Sequence, residues 1–237
     1  MKKINIAIDG PAGAGKSTIA KAISKNLEII YMDTGAMYRA VALKSIKEGL
    51  DCFDKKKISS MVENINLKIE YEKGEQKVVL DGENVNGLIR TPEVTKASSN
   101  VAVIPEVRIK LVELQREIAK EKSIVMDGRD IGTYVLPNAD IKIFLNASPE
   151  ERAKRRFIEQ KEKGMDTITI EEVKKDISYR DKNDSEREFA PLKKAEDAIE
   201  IDTTNMSVGE VINKIMCYVN ELLWKEFLDL LLRLLLK

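Results

Sequence analysis

Lys16 and Ser17 close the run Gly10-Pro11-Ala12-Gly13-Ala14-Gly15-Lys16-Ser17-Thr18, which follows the apolar segment Ile4-Asn5-Ile6-Ala7-Ile8. The spacing G-x-x-x-x-G-K-S sets a lysine and a hydroxyl at the start of a predicted helix, behind a glycine-rich turn. Glycine lets the backbone curl until successive amide N–H groups converge on one phosphate. The positive end of the following helix points at the same place. Lys16 is expected to reach the β- and γ-phosphates, and Ser17 to offer its hydroxyl to Mg²⁺. The whole run from Gly10 to Thr18 is expected to hold a nucleoside triphosphate.

Such a loop serves kinases, ATPases, GTPases and motors alike. No Asn-Lys-x-Asp segment is present to read guanine. Arginine is abundant instead. Arg39 follows Asp33-Thr34-Gly35, and Arg129 and Asp130 follow Asp127-Gly128. Arg152, Arg155 and Arg156 share a predicted helix, and Arg180, Asp184 and Arg187 precede Pro191. Phosphoryl transfer needs positive groups around donor and acceptor phosphates, and a guanidinium fork matches two phosphate oxygens at once. A phosphate-monoester acceptor, with a second pKa of about 6, is already a nucleophile at neutral pH. An alcohol acceptor would call for a placed base. Many arginines without an obvious base therefore favour a phosphate acceptor.

Composition narrows the chemistry further. Lysine plus arginine and aspartate plus glutamate both number 40, a net charge of +0 that argues against a nucleic-acid-binding role. Histidine is absent, which removes His-based zinc sites and Ser-His-Asp hydrolysis. Cys52 and Cys217 lack paired spacing, as in a reducing compartment. Met1-Lys2-Lys3 leads straight into the first strand, so no signal peptide is expected and the location is expected to be cytoplasmic.

The elements that would position these residues alternate between strand and helix. Strands are predicted at the first apolar run, 28–32, 123–127, 141–145 and 198–202. Helices are predicted at 19–27, 36–49, 58–65, 92–99 and 105–120, with further helices starting at Ser148-Pro149 and at the Ser207 capping box. Period-2 alternation at 67–71, then Val78-Val79-Leu80 and Asp81-Gly82, marks a small antiparallel meander. The fold class is α/β: a mostly parallel sheet with helices on both faces.

These motifs together resemble bacterial cytidylate kinases, P-loop nucleoside monophosphate kinases. The resemblance runs from about 3 to 220 through Ile8-Asp9-Gly10-Pro11, Asp33-Thr34-Gly35, Tyr38-Arg39, Ile89-Arg90-Thr91-Pro92, Asp127-Gly128-Arg129-Asp130, Glu151-Arg152 and Ala190-Pro191. It implies a P-loop NTPase fold with a monophosphate-binding insertion at about 58–90 and a helical lid at about 148–190. The implied reaction moves the γ-phosphoryl group of ATP onto CMP or dCMP with Mg²⁺. Thr34, Arg39, Arg129 and Arg187 are then the acceptor-phosphate group, and Ser99, Arg108 and Asp130 the cytosine readers. Arg180 and Asp184 are the sugar contacts. Lys16, Arg129, Arg152, Arg156 and Arg187 carry the catalytic roles. Other readings are a P-loop kinase for another small acceptor such as shikimate, and a nucleotide-dependent switch or ATPase.

The resemblance predicts that the last helix ends near Tyr218, yet residues 221–237 continue as a leucine-rich extension interrupted by charges. The favoured expectation is an extended helix packed on the body or on a second chain. A disordered or accidental tail comes next, and a membrane contact last, because the segment is too short for a reliable span. The chain is otherwise expected to act as a monomer, with this tail as the self-association surface.

Overall fold

Along the chain, β1 (Asn5–Asp9) leads to α1 (Lys16–Leu27), then β2 (Ile30–Asp33), α2 (Thr34–Lys47) and α3 (Lys55–Glu63). Three antiparallel strands follow: β3 (Leu67–Glu72), β4 (Glu75–Leu80) and β5 (Glu83–Asn84). Then come α4 (Pro92–Val101), α5 (Pro105–Glu121), β6 (Ile124–Gly128) and a π-helical turn, Ile131–Val135. The chain continues through β7 (Ile141–Asn146), α6 (Pro149–Glu162), α7 (Ile170–Glu186), β8 (Ile199–Asp202) and α8 (Val208–Leu235). These assignments come from a computed structural model that describes residues 3–162, 164 and 167–235. The expectations for Met1 and Lys2, for 163, 165 and 166 within the 148–190 segment, and for Leu236 and Lys237 lie outside them.

The main sheet is parallel throughout, in the order β2-β6-β1-β7-β8. Side chains alternate across it with period 2. Ile6, Ile8 and Val125 pack against α1 and α8 through Ile19, Ile23, Val211, Ile215 and Val219. Ala7, Ile124 and Met126 face the other way, toward Met37, Val41, Val107 and Leu111 of α2 and α5. Both faces of the central strands are therefore dry, the pattern a parallel sheet requires. The small β3-β4-β5 sheet joins the second of these cores through Leu67, Val78 and Leu80. Helices α6 and α7 share a smaller apolar patch of Ala153, Val173 and Ile177.

The carboxyl ends of β1, β2 and β6 open onto one edge, where the next residues start helices or turns. Gly10 leaves β1 at φ 145, and a Cβ there would lie 2.0 Å from the Leu145 carbonyl oxygen of β7. Only glycine fits that approach.

Several boundaries differ from expectation. Helix α2 begins two residues earlier, at Thr34, because the Asp33 carboxylate caps it by accepting from Ala36 N–H at 3.0 Å. The π-helical turn has no counterpart in the sequence reading. The last helix does not end at Tyr218 but continues to Leu235. Among the described residues, Leu222 is the last that packs on the body, and Leu223, Trp224, Phe227, Leu228, Leu231 and Leu232 beyond it are exposed. Within the extension, Leu222 packs on the body as expected, whereas the described apolar residues beyond it do not. No helix among the described residues is long and apolar enough to cross a membrane.

Candidate active site

The glycine-rich loop joins β1 to α1 beneath a cleft of about 1670 Å³ that runs across the carboxyl edge of the sheet. Single-ligand sites usually measure about 300–1,000 Å³, so this one has room for two. Gly15 is the N-cap of α1 in the left-handed conformation, and no side chain caps the helix. Its first amides are thus left for an anion. Lys16 is buried, and its Nζ donates to the Pro11 carbonyl at 2.7 Å. Burial, and then Arg129, push its ammonium down to about 7, against the pull of Asp127 and Asp184.

Ser17 donates to Asp127 Oδ2 and Tyr31 to Asp127 Oδ1, both at 2.8 Å. Thr34 donates to the Asp127 carbonyl at 2.7 Å. Burial, and then Asp33, raise the Asp127 carboxyl above its ordinary value. A hydroxyl and a carboxylate form a hard oxygen pair at the phosphate loop. Mg²⁺ fits such a pair, since it binds through one or two protein oxygens and fills its shell with phosphate and water. No cluster of three or more Asp, Glu, Cys or His suited to a metal exists among the described residues, so a cage made of such side chains is not on offer.

Across the cleft, opposite charges alternate in a chain. Arg108 donates to Asp130 at 2.5 Å and Arg187 to the same carboxylate at 3.3 Å. Arg187 also reaches Asp184 at 3.4 Å, and Arg129 donates to Asp184 at 2.6 Å. Burial acts against the Asp184 carboxylate, yet Arg129 and Arg187 hold it below its ordinary value. Three guanidiniums face two carboxylates, which leaves a positive excess. Arg180 adds to it: this arginine makes no hydrogen bond or ion pair among the described residues and lines the cleft. Burial, and then Arg129, lower Arg180 to about 10. Arg39 pairs with Asp33 at 2.7 Å, Arg108 lies 5.3 Å over the Tyr38 ring, and Ser99 accepts from Asn183 at 3.2 Å. One wall can therefore take a polyanion on backbone amides, and the other a second anion on side chains.

The family model described as cytidylate kinase matches residues 6–221. The chain belongs to the cytidylate kinase family. A cytidylate kinase of Caldicellulosiruptor bescii is 55% identical over 216 residues, 91% of this chain and 95% of its own length. One of Bacillus cytotoxicus is 50% identical over 224 residues, 94% of this chain and 99% of its own length. Among solved structures, an uncharacterized protein from Eubacterium ventriosum superposes with a TM-score of 0.51 at 16% identity, covering 93% of this chain and 99% of its own. That likeness concerns the fold alone.

Within this cytidylate kinase fold, the cleft collects Ala12 to Thr18, Thr34, Arg39, Ser99, Arg108, Arg129, Asp130, Arg156, Arg180, Asp184 and Arg187. Gly10 and Pro11 lie behind the lining, where they shape the loop. Arg152 is not at the cleft. It is buried behind the loop, donating to the Ala147 and Ala12 carbonyls at 3.1 and 3.0 Å and paired with Asp181. Arg155, which the sequence groups with Arg152 and Arg156 without giving it a site role, lines the cleft and donates to the Thr203 carbonyl at 2.6 Å. Asp127 and Tyr31 were also unassigned. A carboxylate ending the apolar run Ile124-Val125-Met126 was the available signal for the first. Tyr31 had none.

Proposed function

We propose that this kinase transfers the γ-phosphoryl group of ATP to CMP or dCMP, giving ADP and CDP or dCDP, with Mg²⁺ as cofactor. The observation that carries this reading is the paired architecture: a capless helix N-terminus on one wall and the Arg108–Asp130–Arg187–Asp184–Arg129 chain on the other. The phosphate loop with Lys16 holds the donor. Mg²⁺ would be held at Ser17 and Asp127, and when bound it neutralises charge on the β- and γ-phosphates. Thr34, Arg39, Arg129 and Arg187 hold the acceptor phosphate. That dianion needs no strong base to attack, which suits a chain without histidine. Arg108 supplies donors and Asp130 and Ser99 supply acceptors, complementary to O2, N3 and the exocyclic amine of cytosine. Arg180 and Asp184 face the sugar. The 148–190 segment is the lid, which brings Arg156 over the transferring group and excludes water, limiting wasteful hydrolysis.

Each chain carries all of these groups, so a single chain is the catalytic unit. The apolar outer face of α8 is its surface for self-association. A coupled assay of ADP release, with and without CMP, dCMP, UMP and shikimate, tests the reading. CMP and dCMP should stimulate release, with kcat/KM well above that for UMP. Equal values for UMP would remove the cytosine assignment. Stimulation by shikimate alone would replace it with an alcohol kinase, and turnover without any acceptor would point to a switch or ATPase.

A further inference from the structure

Asp33 stands where the acceptor wall meets the small β3-β4-β5 sheet, and it faces more positive charge than it can balance. Its Oδ2 accepts from Arg39 at 2.7 Å and from Arg90 at 3.0 Å, while Oδ1 caps α2 through Ala36 N–H. Two guanidiniums thus share one oxygen of one carboxylate. Arg39 Nε is buried and has no hydrogen-bond partner. Burial would raise the Asp33 carboxyl, but Arg39 and then Arg90 more than offset it and hold it low.

Asp33 is also the junction with the small sheet. Its N–H donates to Gln76 Oε1 of β4 at 2.7 Å, and its carbonyl accepts from Gln76 Nε2 at 3.3 Å. Arg90 sits between β5 and α4, lines the cleft, and its side chain is 53% exposed, against 13% for Arg39. Arg39 is therefore held by its surroundings, whereas Arg90 can reorient at little desolvation cost.

We propose that Arg90 is a second anchor for the acceptor's phosphate monoester, which settles between Arg39 and Arg90 and so ties the small sheet to the core when substrate is bound. The inference rests on the reading that the acceptor is a nucleoside monophosphate. A phosphate monoester carries about −1.5 to −2 charges at pH 7, against −1 for Asp33, and offers three acceptor oxygens to two forks. It therefore balances the pair better than the carboxylate does and can satisfy the orphaned Arg39 Nε. Because Arg90 belongs to the segment that follows the small sheet, its engagement fixes that sheet's position.

The test is direct binding of CMP and of cytidine, which lacks the phosphate, to the wild-type chain and to Arg90→Ala and Arg90→Lys. Arg90→Ala should weaken CMP about 10-fold or more, the worth of a charge-assisted hydrogen bond, with cytidine and ATP affinities unchanged. Arg90→Lys should recover part of the loss, since charge returns without the fork. Unchanged CMP affinity in Arg90→Ala overturns the proposal. So does an equal loss for cytidine, which would make Arg90 a brace for Asp33. A wild-type chain that fails to bind CMP would instead overturn the acceptor assignment itself.

Discussion

Lys16 is in a position where its charge depends on its ligand. In the free protein its Nζ donates to the Pro11 carbonyl, and burial together with Arg129 lowers it to about 7. At pH 8 it is therefore mostly neutral. Triphosphate oxygens favour the ammonium and raise its pKa, so binding at that pH takes a proton up. About one proton per site is expected, read as a binding enthalpy that varies with the ionisation enthalpy of the buffer. Lys16→Met should abolish that dependence, and its persistence in the variant would move the proton elsewhere. Arg129 argues a different case: it pairs with Asp184 on the acceptor wall, and on the donor side it lowers Lys16, so its loss should not weaken the donor site. Its replacement by alanine should lower turnover about 10²–10³-fold, the usual cost of one donor to a developing anion. ATP affinity should hold, and a parallel loss of ATP affinity would refute the division between walls. The two residues also differ in legibility. Arg129 is readable from Gly128 and Gly132 around a charged pair after a core strand. The task of Asp127 is not, because it depends on Ser17, 110 positions away, and Tyr31, 96 away, converging on one carboxylate.

Among the elements, the π-helical turn is the piece that spacing alone does not reveal. Ile131-Gly132-Thr133-Tyr134-Val135 is only five residues long, too short for the spacing of Ile131, Tyr134 and Val135 to stand out as a helix. Its first two amides, of Ile131 and Gly132, donate to Asp9 at 2.8 and 2.7 Å. That partner lies 122 and 123 residues away, at the end of β1. Helices with local signals were readable: Thr91-Pro92 marks the start of α4, and Ser207 with Glu210 the start of α8. The start of α2 is less legible, because Asp33 reads equally as a strand end or a cap. Asp9 links the element carrying the phosphate loop to the turn that follows Arg129 and Asp130. Asp9→Ala should strand both amides and cost about 2–5 kcal/mol, measurable by urea unfolding. It should also raise KM for CMP more than for ATP. Burial raises the Asp9 carboxyl from 3.8 to about 7 despite the two amides. The folded state therefore binds this proton more tightly than the unfolded state, so stability falls as pH climbs through that window. The alanine variant should lack that contribution, and an unchanged pH profile of stability would assign the titration to another group.

The whole molecule divides at Leu222. Up to there α8 is part of the core, with Val211, Ile215 and Val219 buried against the sheet and Leu222 at the edge of the same cluster. Leu223, Trp224, Phe227, Leu228, Leu231 and Leu232 are exposed, with the Trp224 and Phe227 rings stacked at 5.7 Å. These described apolar side chains are thus left uncovered by the body. The family match stops at 221, which separates this segment from the catalytic unit by sequence as well. Residues 221–237 hold three acidic and three basic side chains, so identical helices can pair side by side without net repulsion, and no excess of positive charge favours an anionic membrane. A chain ending at Leu222 should keep kcat/KM for CMP within about twofold, because no described residue beyond it lines the cleft. Light scattering across a concentration series should show the full chain associating and the shortened chain staying single. Leu228→Glu with Leu231→Glu should separate the copies in the same way without shortening α8. A full chain that stays single at every concentration would leave the apolar face without a role in self-association, and a loss of activity on shortening would place the extension inside the catalytic unit.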